Sequence, residues 1–281
     1  MYLVTPMNPK FNILLYGPPG VGKTWLASTA QDHSEMADVV FLNVEGGLIT
    51  IAGRRDIKAV NIIAIDPFKS TPQLPTMPEN CSTLEDEFWK LANKKEEYAN
   101  IRTVVIDSGS ECQTLNLECI VNAAVSGNKA TPGKKSRGRD DIYLEDYGKS
   151  SAQLKRLFRW FRDLDINCII TALPAYIFQK GPDNKTVGTE PIEVRPQFTD
   201  KLAKSVMGYM DFVWYVYEDA QGQRHLLTQK TGIFQAKTRG INFAKAIGKD
   251  VLIKDPTDPN HKGMTLADLY NIYIESEGRG D

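Results

Sequence analysis

The chain has 281 residues, of which 42% are hydrophobic and 25% are charged, so it holds enough apolar material for a sizeable globular core. The formal net charge of −1 excludes a global attraction to polyanions, and any such site must be local. Four cysteines without a CxxC pair and three scattered histidines disfavour zinc sites, disulfide frameworks and histidine chemistry. We expect no signal peptide and no membrane span, hence a cytoplasmic protein.

Short apolar runs alternate with helical patterns along the chain. The predicted strands span 11–16, 38–44, 60–65, 102–107, 167–173, 211–219, 224–230 and 233–239. The predicted helices span 22–30, 82–91, 110–124, 151–164, 198–210 and 265–275. Ser82 and Glu85 form the capping-box pattern that opens the second helix, and the turn at 221–222 predicts an antiparallel hairpin. This order predicts an α/β fold, with a mostly parallel sheet flanked by helices and an antiparallel C-terminal extension.

We predict one domain over residues 1–281. Residues 241–281 form its C-terminal extension, and residues 1–10 are a candidate segment for contact with a neighbouring subunit. Two connections are longer than ordinary loops, at 125–141 and 174–196.

The segment 17–24, GPPGVGKT, follows a predicted strand and opens a predicted helix, and it fits the phosphate-binding loop (P-loop) pattern. Its glycines let backbone N–H groups turn toward phosphates, and the helix N-terminus adds its positive dipole end. Lys23 is expected to reach the β- and γ-phosphates, and the Thr24 hydroxyl is expected to bind Mg²⁺. The alternative is a chance match. The loop thus predicts bound ATP and Mg²⁺, held by Gly17, Pro18, Pro19, Gly20, Val21, Gly22, Lys23 and Thr24.

A second residue on the metal side is expected where the apolar strand 102–107 ends in Asp107. The carboxyl ends of parallel strands form the ligand-binding edge of such sheets, so this carboxylate is expected beside the P-loop. The alternative is an aspartate that only caps the next helix.

The residue after Asp107 is Ser108, so no acid at that position is available to orient an attacking water. Glu45, at the end of the second predicted strand, is the best replacement as general base. We expect its strand to lie beside the P-loop strand, at a spacing of about 4.8 Å. The alternative is an exposed glutamate in a turn.

The segments FLNVEGG (41–47) and VVIDSGS (104–110) resemble the two corresponding motifs of the RecA-like ATPase core. More narrowly, residues 11–240 resemble short phage-encoded RecA-like ATPases that act as single-strand annealing proteins or minimal recombinases. The resemblance implies ATP hydrolysis with Glu45 as base, single-stranded DNA as partner, and a homo-oligomer that is a filament or a ring. It also makes a single-strand-binding protein a candidate partner, and the cytoplasm of an infected bacterium the location if the gene is from a phage.

Lys237 and Arg239 resemble the paired cations that, in this group, reach the γ-phosphate of a neighbouring subunit. The alternative is a pair of solvated strand residues. Thr171 is the only candidate for the polar sensor of the γ-phosphate, because Ala172 and Leu173 stand where larger relatives carry Gln or Asn.

Both long connections carry cations, which predicts that they bind the phosphates of single-stranded DNA without sequence preference. The alternative is a pair of solvated loops. The predicted DNA-binding residues are Lys129, Lys134, Lys135, Arg137 and Arg139 in the first connection, and Lys180, Lys185, Arg195, Lys201 and Lys204 in or after the second.

Three other classes of function stay open. A small-molecule P-loop kinase shares the loop but usually has arginine-rich lids. A helicase loader or packaging ATPase of the AAA type would carry an Asp-Glu pair, which Ser108 interrupts. A nucleotide-dependent binding module would hold ATP without hydrolysing it.

Overall fold

The computed structural model describes residues 10–65, 81–127, 138, 140–183, 185–258 and 260–277. Fourteen strands are found in these ranges: β1 (Ile13–Tyr16), β2 (Val39–Asn43), β3 (Lys58–Ala64), β4 (Cys81–Thr83), β5 (Thr103–Asp107), β6 (Asn167–Ala172), β7 (Pro174–Ile177), β8 (Gln179–Lys180), β9 (Thr186–Val187), β10 (Glu193–Pro196), β11 (Phe212–Glu218), β12 (Arg224–Leu227), β13 (Lys237–Thr238) and β14 (Asp250–Leu252). The α-helices there are α1 (Lys23–Ser28), α2 (Leu84–Ala92), α3 (Gly109–Gly127), α4 (Leu144–Asp163), α5 (Asp200–Tyr209), α6 (Ile241–Ile247) and α7 (Leu266–Ser276).

Most of the strands form one sheet, in which seven parallel strands lie in the order β11-β1-β6-β5-β2-β3-β4. Strands β12 and β13 pair antiparallel with β11, and β14 pairs antiparallel with β12. The predicted α/β fold, a mostly parallel sheet with an antiparallel C-terminal extension, is therefore confirmed. The strand order also places β6 between β1, which leads into the P-loop, and β5, which ends in Asp107.

Both faces of the sheet are covered because its inner strands are apolar on both sides. In β1, Leu14 and Tyr16 belong to the core cluster shared with α2, α3, α4 and α5. Ile13 and Leu15 belong to the opposite cluster, which α1, α6 and α7 complete. The P-loop begins at the carboxyl end of β1, which ends at Tyr16.

Several predicted elements are shifted or changed. Helix α2 is capped by Thr83, whose hydroxyl accepts from the backbone N–H of Asp86, so the predicted Ser82–Glu85 pair is one residue too early. The second long connection contains a β-hairpin, because β7 and β10 pair antiparallel. The predicted strand 233–239 is reduced to the two residues of β13, and the sequence reading missed α6 and β14. No helix within the described ranges is long and apolar enough to cross a membrane.

Candidate active site

The P-loop lies between the end of β1 at Tyr16 and the start of α1 at Lys23. Gly17 packs so closely on β11 that a Cβ there would lie 2.1 Å from the carbonyl oxygen of Val216. Gly22 caps α1 with φ of +96°, a left-handed conformation that favours glycine. Both glycines of the motif are therefore required by the backbone path that turns N–H groups toward a phosphate.

Lys23 lies half-buried at the start of α1, with its ammonium group folded back on the loop. Its Nζ donates to the carbonyl oxygens of Gly17 and Pro18, each at 2.8 Å. Burial lowers the pKa of Lys23, and the charges of Glu45 and Asp107 oppose that effect. A phosphate bound in the loop would take the place of these two carbonyl oxygens as the partner of Lys23. The ammonium group would then face a full negative charge.

Asp107 ends β5 at the carboxyl edge and is almost fully buried. Its carboxylate accepts a hydrogen bond of 2.8 Å from the Thr24 hydroxyl and another from the Thr171 hydroxyl. Burial raises the pKa of Asp107, and these two hydrogen bonds act in the opposite direction. Thr171 therefore orients Asp107 in this structure and does not present a free hydroxyl to a γ-phosphate.

The pairing of Thr24 with Asp107 fits a Mg²⁺ ion that arrives with a nucleotide. Mg²⁺ is commonly bound by one or two protein oxygens together with phosphates and water. Within the described part of the chain, no group of three or more His, Cys, Asp or Glu side chains is placed to hold a metal alone. The donor set thus suits a metal shared with phosphates, with Thr24 and Asp107 on the protein side.

Glu45 follows β2, and its position differs from the expected one. Strand β2 lies between β5 and β3, so two strands separate it from β1, and the expectation that it neighbours the P-loop strand is wrong. The chain nevertheless turns toward the site, because the N–H groups of Val44 and Glu45 donate to the carbonyl oxygen of Asp107 at 2.7 and 3.1 Å. Glu45 is exposed, and its charge acts on both Lys23 and Asp107.

Ser110, in the first turn of α3, connects the nucleotide edge to the β7–β10 hairpin. Its hydroxyl accepts from the backbone N–H of Leu173 at 3.0 Å and donates to the carbonyl oxygen of Gln197 at 3.2 Å. Leu173 precedes β7 and Gln197 follows β10, so one side chain holds both ends of the hairpin. Ser110 ends the motif VVIDSGS (104–110), but no role was predicted for it from the sequence.

The predicted DNA-binding cations of the second connection occupy different environments. Lys180 and Lys185 are exposed on the hairpin, and Tyr176 in β7 is 48% exposed. Lys201 and Lys204 are exposed on α5. The predicted cations of the first connection, Lys129, Lys134, Lys135, Arg137 and Arg139, lie outside the described residues, as does most of the predicted contact segment 1–10.

Arg195 does not fit its predicted role in DNA binding. Its side chain is only 7% exposed, and its Nη1 forms an ion pair of 2.6 Å with Asp200. A guanidinium that is buried in this way is not available to a phosphate backbone. Arg195 instead joins β10 to the first turn of α5, and this is a correction to the sequence-based assignment.

We expect Arg195→Ala to destabilise the fold by about 1.5–3 kcal/mol, because it removes a buried side chain together with its charged hydrogen bond to the more exposed Asp200. Lys204→Ala is the matched control, since Lys204 pairs with the same Asp200 on the exposed side. That variant should lose at most about 0.5 kcal/mol. Urea unfolding measures both values. Equal losses, or weaker single-strand binding by folded Arg195→Ala, would contradict this structural role.

Lys237 and Arg239 lie at the opposite edge of the sheet from the P-loop. Lys237 pairs with Val213, near the start of β11, and its Nζ donates to the carbonyl oxygen of Met207 at 2.6 Å. Arg239 forms an ion pair of 2.6 Å with Asp211. These cations therefore cannot reach the nucleotide site of their own chain, and their action on a neighbouring subunit stays a prediction.

Arg224, which the sequence reading also missed, lies beside the P-loop. It opens β12 and pairs with Glu218 at the carboxyl end of β11. A Cβ built on Gly22 would lie 3.5 Å from Nη1 of Arg224. The predicted hairpin at 221–222 was the available signal, because it places the residues just after the turn at the carboxyl edge.

Among the solved structures that are similar to this chain are three whose similarity is distant, with low TM-scores. The RadB recombinase is 13% identical, with 78% of this chain and 80% of that chain covered and a TM-score of 0.39. The N-terminal domain of zonular occludens toxin from Neisseria meningitidis is 15% identical, with 89% and 97% covered and a TM-score of 0.37. A KaiC-like protein from Pyrococcus horikoshii OT3 is 15% identical, with 89% and 88% covered and a TM-score of 0.37.

The comparison with curated proteins found no match. A family described as AAA domain matches residues 10–240, which include the P-loop, Glu45, Asp107 and the hairpin. An ATPase of the AAA type was disfavoured by the sequence, because Ser108 stands where such proteins carry the Glu of an Asp-Glu pair. The matched span covers most of the parallel sheet and the whole candidate site, and the chain therefore belongs to the AAA domain family AAA_24.

Proposed function

We propose that this protein hydrolyses ATP with the help of Mg²⁺, and that Glu45 is the general base. One observation carries the proposal: the P-loop, Asp107 and Glu45 meet at one edge of the sheet although they come from three separate strands. A charged carboxylate that is exposed to water and electrostatically linked to Lys23 suits the activation of a water molecule.

Each residue has a distinct task in this scheme. Backbone N–H groups of the P-loop and Lys23 hold the phosphates, and Thr24 and Asp107 bind the metal. When bound, Mg²⁺ offsets charge on the β- and γ-phosphates. Glu45 accepts a proton from the water that attacks the γ-phosphate, and Lys23 stabilises charge that develops on the transferred group.

We further propose that ATP use is coupled to single-stranded DNA, as in short RecA-like annealing proteins or minimal recombinases. Two segments support the idea. The basic stretch 129–139 connects α3 to α4, and the β7–β10 hairpin, with Tyr176, Lys180 and Lys185, follows β6 directly. Aromatic rings among cations suit single strands, whose unpaired bases can stack on them.

The DNA proposal predicts that changing Lys134, Lys135, Arg137 and Arg139 together to Ala lowers affinity for single-stranded DNA about tenfold or more, because four phosphate contacts are lost. Fluorescence anisotropy with a labelled oligonucleotide at several salt concentrations measures this effect. The dependence of log affinity on log salt should also become shallower by about 0.7 per lost phosphate contact.

The matched control changes four exposed cations near the amino ends of β3 and β5, at the other edge of the sheet, to Ala: Lys58, Lys94, Lys95 and Arg102. It should leave DNA affinity much closer to that of the unchanged protein. Equal losses in the two variants would indicate a response to net charge alone. Unchanged affinity in the first variant would remove residues 129–139 from the DNA site.

The family match favours a second candidate, an AAA-type ATPase that loads helicases or packages DNA. The two candidates differ in the nucleic acid that stimulates hydrolysis. Stimulation by single strands supports the recombinase class, and stimulation by duplex DNA or by a partner ATPase supports the AAA class. In either class Lys237 and Arg239 are proposed to act on a neighbouring subunit within a homo-oligomer.

A further inference from the structure

Arg224 places a cation next to Gly22 of the P-loop. Its guanidinium lies next to the last glycine before Lys23, where a Cβ built on Gly22 would be 3.5 Å from Nη1 and 3.7 Å from Nε of Arg224. The side chain is half-buried, and its strand is fixed because the carbonyl oxygen of Arg224 accepts from the N–H of Ile253 at 2.8 Å. The backbone that carries this side chain is therefore part of the sheet and not of a loop.

The guanidinium has no hydrogen-bond or ion-pair partner among the described residues, unlike Arg195 and Arg239. The charge of Arg224 acts on Asp255, whose pKa is lowered. Hydrogen bonds from the backbone N–H and the hydroxyl of Thr257 are the larger causes, and the charge of Arg224 is a smaller one. One carboxylate oxygen of Asp255 already accepts both Thr257 bonds, at 2.8 and 2.7 Å. Arg224 thus presents unused donors beside a loop built to hold phosphates.

We propose that Arg224 binds the α- and β-phosphates of the nucleotide held by the P-loop of the same chain. This inference rests on the proposed nucleotide-binding function. The N–H groups at this part of a P-loop cradle the α- and β-phosphates, and a guanidinium fork matches two phosphate oxygens. ADP has both of these phosphates, so Arg224 contributes equally to ATP and ADP binding and little to the step that breaks the γ-phosphate bond.

The test compares Arg224→Gln, which keeps much of the side-chain stem, with Arg224→Lys, which keeps the charge. Titration with fluorescent ATP and ADP gives dissociation constants, and phosphate release gives KM and kcat. We expect Arg224→Gln to bind both nucleotides about tenfold or more weakly, with kcat nearly unchanged, because a charged hydrogen-bond partner of the phosphates is lost. Arg224→Lys should lie between that variant and the unchanged protein.

Lys230→Ala is the control, because Lys230 is an exposed cation beyond the other end of the same strand. Unchanged affinity in Arg224→Gln would overturn the inference, and so would a loss confined to kcat or to ATP alone. Lys23→Ala separates this inference from the proposed function. If the unchanged protein binds nucleotide and Lys23→Ala does not, the P-loop is the nucleotide site, and the affinity of Arg224→Gln alone decides the role of Arg224. If the unchanged protein binds neither nucleotide, both fail.

Discussion

Glu45→Gln is expected to lower the kcat of ATP hydrolysis about a hundredfold or more, because the amide cannot accept a proton from the attacking water. Nucleotide binding should change little, since Lys23 and the P-loop backbone hold the phosphates without Glu45. Phosphate release measures hydrolysis, and titration with a fluorescent ATP analogue measures binding. The variant should therefore hold ATP without turning it over.

Glu96→Gln is the matched control, because Glu96 is an exposed glutamate in a short 3₁₀ helix away from the carboxyl edge. Its turnover should equal that of the unchanged protein. Full turnover by Glu45→Gln would remove Glu45 as the base. Absence of turnover in the unchanged protein, with ATP still bound, would favour a nucleotide-dependent binding module.

Asp107→Asn is expected to have two opposite effects. It removes the carboxylate that contacts Thr24, so Mg²⁺-dependent hydrolysis should fall about a hundredfold or more, given that a bound metal supplies several kcal/mol. The same change should raise the melting temperature of the protein without nucleotide. Burial raises the pKa of Asp107, so the ionised form is disfavoured in the folded chain.

The sign of the stability effect follows from proton binding. An acid with a raised pKa in the folded state binds more protons when folded than when unfolded, so stability falls as pH rises from about 3.9, the ordinary aspartate value, through the raised pKa. The loss is complete above the raised pKa. The stabilisation by Asp107→Asn should thus be largest at higher pH and vanish in acid.

Thermal unfolding over a range of pH, in EDTA and without nucleotide, measures this effect. Asp165→Asn is the control, because Asp165 is an exposed aspartate just before β6 at the other edge of the sheet. It should give neither the loss of hydrolysis nor the stabilisation. A lower melting temperature for Asp107→Asn would show that the ionised carboxylate is a net stabilising group.

The P-loop and the Asp107 strand were predictable because their signals are local. Strand β1 is marked by a short apolar run before a glycine-rich turn, and β5 by an apolar run that ends in Asp107. Each pattern defines a strand and its end without reference to the rest of the chain. The alternation of such runs with helical patterns was enough to predict the parallel sheet. The turn at 221–222 likewise predicted the β11–β12 hairpin.

The neighbours of Glu45 could not be predicted in the same way. Strand order depends on how crossover connections pack, and the sequence of β2 is equally compatible with a place beside β1 or beside β5. Burial of Arg195 was also hidden, because it depends on how β10 pairs with β7 and on the position of the first turn of α5. Arg224 belongs to no motif, and only the folded sheet brings it to the carboxyl edge. Ser110 ends the motif VVIDSGS, but its contacts with Leu173 and Gln197 depend on the fold.

The two hydrogen bonds of the Ser110 hydroxyl link the β7–β10 hairpin to the nucleotide site. The hydroxyl that holds both ends of the hairpin lies three residues after the carboxylate that pairs with Thr24. If a ligand on the hairpin changes the affinity of the P-loop for nucleotide, nucleotide must change the affinity of the hairpin for that ligand by the same factor. The ratio of nucleotide affinities with and without the hairpin ligand therefore gives the coupling free energy between the two sites, and so does the corresponding ratio for the hairpin ligand.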